Sequence, residues 1–476
     1  MIEGYIKKED RKKILLLTDD IRVHSGVAQV GRETVTNTAH RYNWVQLAGA
    51  VKHPEKNQIQ DLSEATNKEI GIEDASVVLY PCDGYGDEKL VRLVIEREKP
   101  DAILLITDPR YFEWLFNIED EIRSQIPITY LNIWDDLPAP MYNQDFYDSC
   151  DALFGISKQT KNINEMVLGD KAKNKVIKYI PHGLNHKKFY QLEENDKELI
   201  NFKKQFHNSE GKEFTILFNS RNIRRKSIPD TILAWKLFLD KLPKNQRNKC
   251  QMVMHTQPID QAGTDLPAVI RFLFPKEDHN IIMSHQKLTI EQMNLLYNNA
   301  DGTILLSSAE GWGLSLTESE LTGTPIIANV TGGMQDQMRF VDENDNWYTP
   351  TPDVPSNHRK TYTKCGEWAL PVFPTNLSLV GSPKTPYIYD DRCSAEDAAD
   401  QIMNLYKMGD KERKRIGNLG KEWALSEEAG FTAETMAQRI SEGFEETFKN
   451  FKPKSRFTFT GDNEVNKKVL NHKLIY

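Results

Sequence analysis

The chain has 476 residues, of which 39% are hydrophobic and 27% are charged, and its formal net charge is −8. This length exceeds the roughly 250–300 residues that one hydrophobic core serves, so two domains are expected. The negative charge excludes a protein that coats nucleic acid through bulk electrostatics, although an enzyme with one local basic groove remains compatible with it.

Targeting and metal-binding patterns are missing from the sequence. No apolar run approaches the ~20 residues that cross a bilayer, and residues 1–13 are too charged for a secretory signal. The five cysteines lie far apart and show no C-x-x-C spacing, which is typical of free thiols in a reducing compartment. We therefore expect a cytoplasmic protein with no transmembrane segment.

Short apolar runs alternate with polar helical stretches along the chain. The first series predicts buried strands at residues 13–20, 75–81, 101–108, 127–136, 151–157 and 175–181. A second series predicts strands at residues 214–220, 250–256, 280–284, 302–308 and 324–330, and helices follow at 395–424 and 431–449. Continuously apolar strands separated by helices indicate parallel sheets with both faces covered.

The expected fold class is α/β, with two doubly wound, Rossmann-like parallel-sheet domains facing a cleft. The predicted boundaries are an N-terminal domain at 1–185, a linker at 186–212, a C-terminal domain at 213–428, a helix crossing back to the first domain at 429–450, and a tail at 451–476. Residues 341–392 are predicted as a long functional or mobile loop region. Ligands of such sheets bind at the carboxyl ends of the strands, so the site is expected in the cleft.

The segment SSAEGWGLSLTESE, at residues 307–320, is the strongest motif. Gly311 and Gly313 precede a helix that is predicted to begin near Leu314 and Ser315. Its free backbone N–H groups and positive dipole end form an anion site. Two carboxylates accompany this turn, Glu310 and Glu318. Carboxylates do not suit phosphate, but they accept hydrogen bonds from a sugar diol. The alternative is an ordinary strand–turn–helix with acids that face solvent.

A cationic loop follows the first strand of the second domain. In FNSRNIRRKS, at residues 218–227, four basic side chains crowd one strand–helix connection: Arg221, Arg224, Arg225 and Lys226. Like charges at this density repel one another unless an anion lies among them, although a solvated basic face is the simpler interpretation. A diphosphate held between this loop and the glycine turn would explain both motifs.

The two motifs together resemble the retaining GT-B glycosyltransferases of family 4. That family carries two Glu residues separated by seven others, which Glu310 and Glu318 match, and an Arg and a Lys five residues apart, which Arg221 and Lys226 match. Two further segments are similar to its interdomain hinge and its N-terminal glycine loop: IPHGLNHKKF at 180–189 and HSGVAQVGRE at 24–33, with Gly26 in the key place.

The resemblance implies a role for each matching residue. Arg221 and Lys226 would neutralise the leaving diphosphate and Glu310 would contact the transferred sugar, so these three are the expected catalytic residues. The expected nucleotide-sugar-binding residues are Gly26, Ser220, His255, Gly311, Gly313, Leu314, Ser315 and Glu318. The donor substrate is then a nucleotide diphosphate sugar, with UDP-sugar favoured over GDP-sugar. No metal and no other cofactor is expected, because basic residues take over the charge neutralisation.

One departure from the family concerns the sugar side of the cleft. The family often places a His after the fourth N-terminal strand, whereas NIWDD stands here at residues 132–136. Asp108, Trp134 and Asp135 are therefore candidates for contacts with the sugar or the acceptor. The alternative for each acid is that it caps the helix that follows.

The acceptor is the least determined part of the prediction. GGMQDQMRF at 332–340 and VGSPKTPYIYDDR at 380–392 resemble glycosyltransferases encoded by T4-like tailed phages. That resemblance implies double-stranded DNA carrying 5-hydroxymethylcytosine, a base that the enzyme would have to flip out. Lysines that could contact phosphates, or be ordinary solvated lysines, are Lys158, Lys161, Lys171, Lys173, Lys175, Lys178, Lys187 and Lys188.

Other acceptors and other function classes stay open. A cell-surface glycan or a lipid-linked sugar is the competing acceptor. A nucleotide-sugar epimerase and a non-catalytic sugar-binding protein are the alternatives of another class, although neither needs the cationic loop in this arrangement. The sequence does not indicate an oligomeric state.

Overall fold

Two central β-sheets organise the chain, one in each half. The computed structural model describes residues 4–207, 212–276 and 279–455. Residues 208–211 of the predicted linker, and residues 456–476 of the predicted tail, lie outside the described residues. Within the described residues, no helix combines the length and the apolarity needed to cross a membrane.

The first sheet has eight strands in the order β3-β4-β2-β1-β5-β6-β7-β8. Its strands are β1 (Lys12–Asp19), β2 (Tyr42–Gly49), β3 (Gln60–Asp61), β4 (Val77–Pro81), β5 (Ala102–Ile106), β6 (Ile128–Asn132), β7 (Ala152–Gly155) and β8 (Val176–Tyr179). All neighbouring strands pair in parallel except β3 and β4. The helices of this half are α1 (Gly26–Thr38), α2 (Ser63–Ile70), α3 (Glu88–Glu98), α4 (Glu113–Phe116), α5 (Glu119–Arg123), α6 (Gln144–Asp148) and α7 (Lys158–Leu168).

The second sheet has six parallel strands in the order β11-β10-β9-β12-β13-β14. After α8 (Lys197–His207) come β9 (Phe214–Asn219), β10 (Cys250–His255), β11 (Ile281–Ser284), β12 (Gly302–Leu305), β13 (Ile326–Asn329) and β14 (Ala369–Val372). The helices of this sheet are α9 (Ile228–Asp240), α10 (Lys244–Arg247), α11 (Leu266–Leu273), α12 (Ile290–Asn298), α13 (Leu314–Leu321) and α14 (Met334–Met338). An antiparallel hairpin of β15 (Pro374–Ser382) and β16 (Thr385–Cys393) follows, and then α15 (Ala395–Leu425) and α16 (Ala433–Asn450).

The predicted α/β fold class, with two doubly wound parallel sheets, is confirmed. Each predicted strand is present, because uninterrupted apolar runs are what a sheet covered on both faces requires. The pattern missed β2, all eight residues of which are buried. Its run is broken by polar residues such as Gln46, whose amide donates to the backbone oxygen of Asp19 at 2.7 Å. The hydrogen bond satisfies this buried amide, so a polar residue is compatible with a core strand.

The prediction of one long loop region over residues 341–392 needs correction. This segment contains β14, which forms an edge of the second sheet, and most of the β15–β16 hairpin. The hairpin strands are polar and partly exposed, so they lack the apolar signal that marked the central strands.

The chain crosses between the two halves at two adjacent places. Leu184 forms a parallel bridge with Thr432, and its N–H donates to the backbone oxygen of Phe431 at 2.9 Å. A Cβ at Gly183 would lie 2.1 Å from the oxygen of Thr432, so only glycine fits this crossing. Beyond it, α16 packs against α1, β7 and β8 of the first sheet.

Candidate active site

The cleft between the two halves contains a cavity of about 880 Å³. It lies at the carboxyl ends of β1, β5, β6, β9 and β12, where parallel sheets usually bind ligands. Of the candidate residues from the sequence, those that line this cavity are Gly26, Asp108, Trp134, Asp135, Ser220, Arg221, Lys226, Glu310, Gly311, Gly313, Leu314, Ser315 and Glu318. A larger cavity, of about 1100 Å³, lies on the linker side and contains none of these residues.

His255 is the one candidate that the structure does not place in this lining. It stands at the end of β10, in register with Asn219 of β9, which does line the cavity. Its Nδ1 lies 2.9 Å from Ser284 Oγ, and burial lowers the pKa of its imidazole. His255 is therefore one strand away from the cleft, with a hydrogen-bond partner on β11.

The glycine turn leads directly into α13. Gly313 has a φ of +93°, the left-handed region that glycine adopts without strain, and no side chain caps the helix there. A Cβ at Gly311 would lie 2.6 Å from the backbone oxygen of Ile133, in the opposite half of the molecule. The turn thus brings the uncapped first turn of α13 to the cavity wall, where free backbone N–H groups favour an anion.

The cationic loop lies next to this turn. Arg225 Nη1 donates to Glu310 Oε2 at 2.9 Å and to the backbone oxygen of Ala309 at 2.6 Å. The Lys226 ammonium contacts the same Glu310 oxygen. Arg221 instead has a side chain that is 67% exposed, with its Nε 3.1 Å from Asp260 Oδ2. The two sequence motifs therefore meet through Glu310, and Arg221 is held at the rim.

The Glu310 carboxylate is anionic over the whole physiological range. Its burial raises its pKa, but Arg225 and Lys226 outweigh that effect and bring the pKa to about 2. Burial lowers the pKa of Lys226, and Glu310 opposes this shift. Such a buried group of charges depends on mutual pairing, because an unpaired charge at this depth is costly.

Glu318 has a different environment, although it borders the same cavity. Its carboxylate accepts a 2.5 Å hydrogen bond from the hydroxyl of Tyr297, which is fully buried. Burial raises the pKa of Glu318 to about 7, and no cation is among the causes of this shift. A carboxyl group of this kind can accept hydrogen bonds from a diol, which favours its ionised form.

The sugar-side candidates lie on the opposite wall. Asp108 accepts from the backbone N–H of Arg110 at 3.0 Å and from its Nε at 2.7 Å, so the capping alternative describes part of its role. The Arg110 guanidinium lies over the Trp134 ring, 5.4 Å from its centroid. Burial raises the pKa of Asp135, with Arg225 opposing this shift and Glu310 adding to it.

Several lining residues escaped the sequence analysis. His182 is buried, its Nε2 has no hydrogen-bond partner among the described residues, and burial lowers its pKa to about 3. A neutral imidazole therefore borders the cavity. His182 lies in the segment that is similar to the interdomain hinge, so the sequence offers a signal that it borders the cleft. Arg110 gave no such signal, and the sequence singles out residues 380–392 of the β15–β16 hairpin only by their resemblance to phage-encoded glycosyltransferases.

A cluster of metal-ligand type lies between the two halves, and two of its members directly follow the cavity-lining residues Asp135 and Asp390. Atoms of Asp136, His358 and Asp391 lie within 4.8 Å of one another. The Thr331 hydroxyl donates to Asp391 Oδ2 at 2.8 Å and lies 3.3 Å from Asp136 Oδ2, and His358 Nδ1 lies 3.2 Å from Asp391 Oδ2. These donor types are those of zinc sites. Contacts with Thr331 and His358 satisfy part of the cluster, whereas Asp391 Oδ1 has no hydrogen-bond partner among the described residues, and burial together with Asp391 raises the pKa of Asp136.

Comparison with known proteins supports this architecture. Residues 199–353 match the family described as "Glycosyl transferases group 1". A glycosyltransferase from Rickettsia africae superposes with a TM-score of 0.62 at 14% identity, covering 93% of this chain and 100% of that one. Anabaena HepE in complex with UDP and glucose gives 0.60 at 14% identity, covering 92% and 100%.

The sucrose-phosphate synthase of Thermosynechococcus elongatus gives a TM-score of 0.63 at 15% identity, covering 92% of this chain and 100% of that one. No curated protein sequence matches the chain significantly. Likeness at these identities establishes a fold, and the family match covers the cationic loop and the glycine turn. The chain therefore has the GT-B fold, and its residues 199–353 match the glycosyl transferases group 1 family.

Proposed function

We propose that this protein is a retaining glycosyltransferase that moves a sugar from a nucleoside diphosphate sugar to an acceptor hydroxyl. One observation carries the proposal: the cationic loop, the uncapped N-terminus of α13 and Glu318 border the same cavity. The first two suit a diphosphate and the third suits a ribose diol. The glycosyl transferases group 1 match over this region supports the assignment.

In the proposed reaction the bond between the anomeric carbon and the diphosphate oxygen breaks. A new bond forms from the anomeric carbon to the acceptor oxygen on the same face of the sugar. The departing phosphate oxygen takes the acceptor proton, so no protein base is required. Arg221, Lys226 and the N-terminus of α13 stabilise the negative charge that develops on the leaving group, which is the largest electrostatic demand of such a step.

Glu310 is proposed to bind hydroxyls of the transferred sugar. Arg225 and Lys226 hold its carboxylate in one orientation, and this preorganisation favours the bound geometry. Glu318 is proposed to accept hydrogen bonds from the ribose. A UDP-sugar is the favoured donor, which agrees with the UDP and glucose bound to the Anabaena relative.

The surface charges favour a glycan or a lipid-linked sugar over DNA as the acceptor. Many of the lysines considered for DNA contact are paired with carboxylates, namely Lys161 with Glu165, Lys171 with Asp148, Lys178 with Glu446 and Lys188 with Glu69. Lys158 Nζ lies 3.4 Å from the centroid of the Trp347 ring. A patch whose charges are balanced in this way offers phosphates little net attraction.

A ligand screen followed by a product assay tests the proposal. UDP, GDP and ADP are compared by thermal shift, because the nucleotide that binds the native state raises its melting temperature. The matching nucleotide sugar is then incubated with and without acceptors, and the released nucleoside diphosphate and the anomeric configuration of the product are measured. Acceptor-dependent release with retained configuration supports the proposal.

Two other results decide between the alternatives. An epimerised nucleotide sugar, or binding without turnover, would identify an epimerase or a sugar-binding protein instead. Product formed on duplex DNA that contains 5-hydroxymethylcytosine, together with salt-sensitive DNA binding, would restore DNA as the acceptor.

A further inference from the structure

The β15–β16 hairpin belongs to the second half of the chain and is anchored beside the cationic loop. The N–H of Asp391 donates to the backbone oxygen of Ser308 at 2.9 Å. The Ser308 hydroxyl donates to Asp390 Oδ1 at 2.7 Å, and the Ser308 N–H donates to the backbone oxygen of Arg225 at 2.7 Å. The base of the hairpin is therefore connected by hydrogen bonds to Arg225, which binds Glu310.

The rest of the hairpin reaches across the cleft to the first half. The N–H of Tyr389 donates to the oxygen of Leu137 at 2.7 Å, and the Tyr142 hydroxyl donates to the oxygen of Tyr387 at 3.0 Å. At the tip, Arg110 Nη1 contacts the Lys384 oxygen and the Thr385 hydroxyl. The hairpin thus joins the two halves on the side of the cavity where Asp108 lies.

The part of the hairpin that borders the cavity is mostly apolar or hydroxyl-bearing: Val380, Gly381, Ser382, Thr385, Ile388 and Tyr389. Its carboxylate at the cavity, Asp390, already accepts a hydrogen bond from the Ser308 hydroxyl at 2.7 Å and from Arg392 at 3.3 Å. The adjacent Arg110 offers little to a further ligand, because its Nε and Nη2 bind Asp108 and its Nη1 binds the hairpin tip. This wall therefore resembles the lining of a site for an uncharged ligand, with apolar contact area and a few orienting polar groups.

We propose that the β15–β16 hairpin is the acceptor-side wall of the active site, which admits neutral, hydroxyl-bearing acceptors such as a sugar ring and excludes water from the transferred sugar. This inference rests on the proposed glycosyl transfer. Without this wall, water would take the place of the acceptor. The water oxygen would bond to the anomeric carbon, and the water proton would go to the departing phosphate. Hydrolysis of the donor therefore reports on the closure of this wall.

A pair of tryptophan substitutions on neighbouring residues tests the acceptor contact. Val380 borders the cavity, whereas the adjacent Leu379 does not border it and is 63% exposed. We expect Val380→Trp to lower product formation with neutral mono- and disaccharides about tenfold or more, while the affinity for UDP stays within about twofold. Leu379→Trp should match the wild type in both measurements.

Removing the contacts of Arg110 with the hairpin tip tests whether the hairpin excludes water from the transferred sugar. This measurement needs no acceptor. We expect Arg110→Ala to raise the hydrolysis of UDP-glucose by about fivefold or more, with UDP affinity again within about twofold. Arg97→Ala, an exposed arginine on α3, should leave hydrolysis unchanged. Circular dichroism and melting curves confirm that each variant is folded.

The outcomes separate this inference from the proposed function. A wild-type protein that binds none of UDP, GDP and ADP contradicts the proposed function itself. If UDP binds and UDP-glucose turns over, equal behaviour of Val380→Trp and Leu379→Trp overturns the hairpin inference alone. Unchanged hydrolysis in Arg110→Ala, or a preference for anionic sugars such as glucuronic acid, would also overturn it.

Discussion

Lys226 and Glu310 form an ion pair at the floor of the cleft, where each side chain is only 10% exposed. Lys226 follows β9 and Glu310 follows β12, so the pair connects the two motifs that the sequence singled out. Arg225 binds the same carboxylate oxygen, and the nearby Asp135 also acts on both cations, although burial raises the pKa of its own carboxyl group. A diphosphate that enters beside Arg225 and Lys226 would meet two cations.

Lys226→Ala is the most direct test of this arrangement. We expect the turnover number to fall by about 10²–10³-fold, because one of the groups proposed to stabilise the leaving diphosphate is removed. The fold should persist, since Arg225 still neutralises Glu310. Lys241→Ala, which removes an exposed pair with Asp400 on the same half, is the matched control. Normal turnover in Lys226→Ala would refute the assignment of the diphosphate site.

Glu318 should couple nucleotide binding to pH. Its pKa of about 7 means that the carboxyl group is protonated in much of the free enzyme below that pH, whereas ribose hydroxyls bind the ionised form. We therefore expect UDP affinity to decline by up to about tenfold per pH unit below pH 7. Calorimetry at pH 6, in buffers with different ionisation enthalpies, should detect a proton released on binding.

Glu318→Gln separates this effect from the titration of the nucleotide phosphates. The variant should lose the part of the pH dependence that Glu318 contributes, and uridine, which has a ribose and no phosphate, should show the same difference. A carboxyl pKa that folding raises favours the native state at low pH, and this stabilisation is lost as pH rises from about 4.5 towards 7. The melting temperature of Glu318→Gln should therefore fall less over that range. Identical pH profiles of UDP affinity for the wild type and Glu318→Gln would contradict the proposed contact between Glu318 and the ribose.

Much of this architecture could be predicted because parallel strands carry a strong local signal. β5 is apolar throughout, and β1 and β9 have apolar centres at residues 14–17 and 216–218, so burial on both faces follows from composition. Since the carboxyl ends of parallel strands meet at one edge, the sequence predicts that the motifs at residues 218–227 and 307–320 converge.

The rest depends on contacts that sequence patterns do not encode. Which cation binds Glu310 is decided by loop geometry: Arg225 does so, while Arg221 extends to Asp260, 39 residues further along the chain. The β15–β16 hairpin is likewise stabilised by hydrogen bonds to distant residues such as Leu137 and Ser308. Neither feature leaves a periodic signal in the sequence.

The Arg221–Asp260 pair predicts competition between the protein and its donor. In the proposed donor complex, Arg221 exchanges Asp260 Oδ2, which lies 3.1 Å from its Nε, for a phosphate oxygen. An exposed ion pair contributes about 0–1 kcal/mol, so Asp260→Asn should raise UDP affinity by up to about fivefold. Arg221→Ala should weaken it, and the double variant should resemble Arg221→Ala. A gain in affinity that persists in the double variant would show that Asp260 acts without Arg221.

Gly26 and Gly311 both border the cleft, but adding a side chain should affect donor binding at Gly26 and stability at Gly311. A Cβ at Gly26 would meet only Leu314 Cδ1 at 3.4 Å, an ordinary contact, whereas one at Gly311 would lie 2.6 Å from the Ile133 oxygen. Gly26→Ala should therefore keep its melting temperature within about 2 °C and lose donor affinity, because the added methyl group stands where the proposed phosphates lie.

Gly311→Ala, in contrast, should be destabilised by about 1–3 kcal/mol, since the two halves must move apart at that contact. Thermal melts and UDP titrations of both variants distinguish the cases. If Gly26→Ala binds UDP as the wild type does, the loop after β1 does not approach the phosphates, and the diphosphate is held by the second half alone. A stable Gly311→Ala would mean that the halves are less closely apposed in solution, and the cleft would then open further before the donor enters.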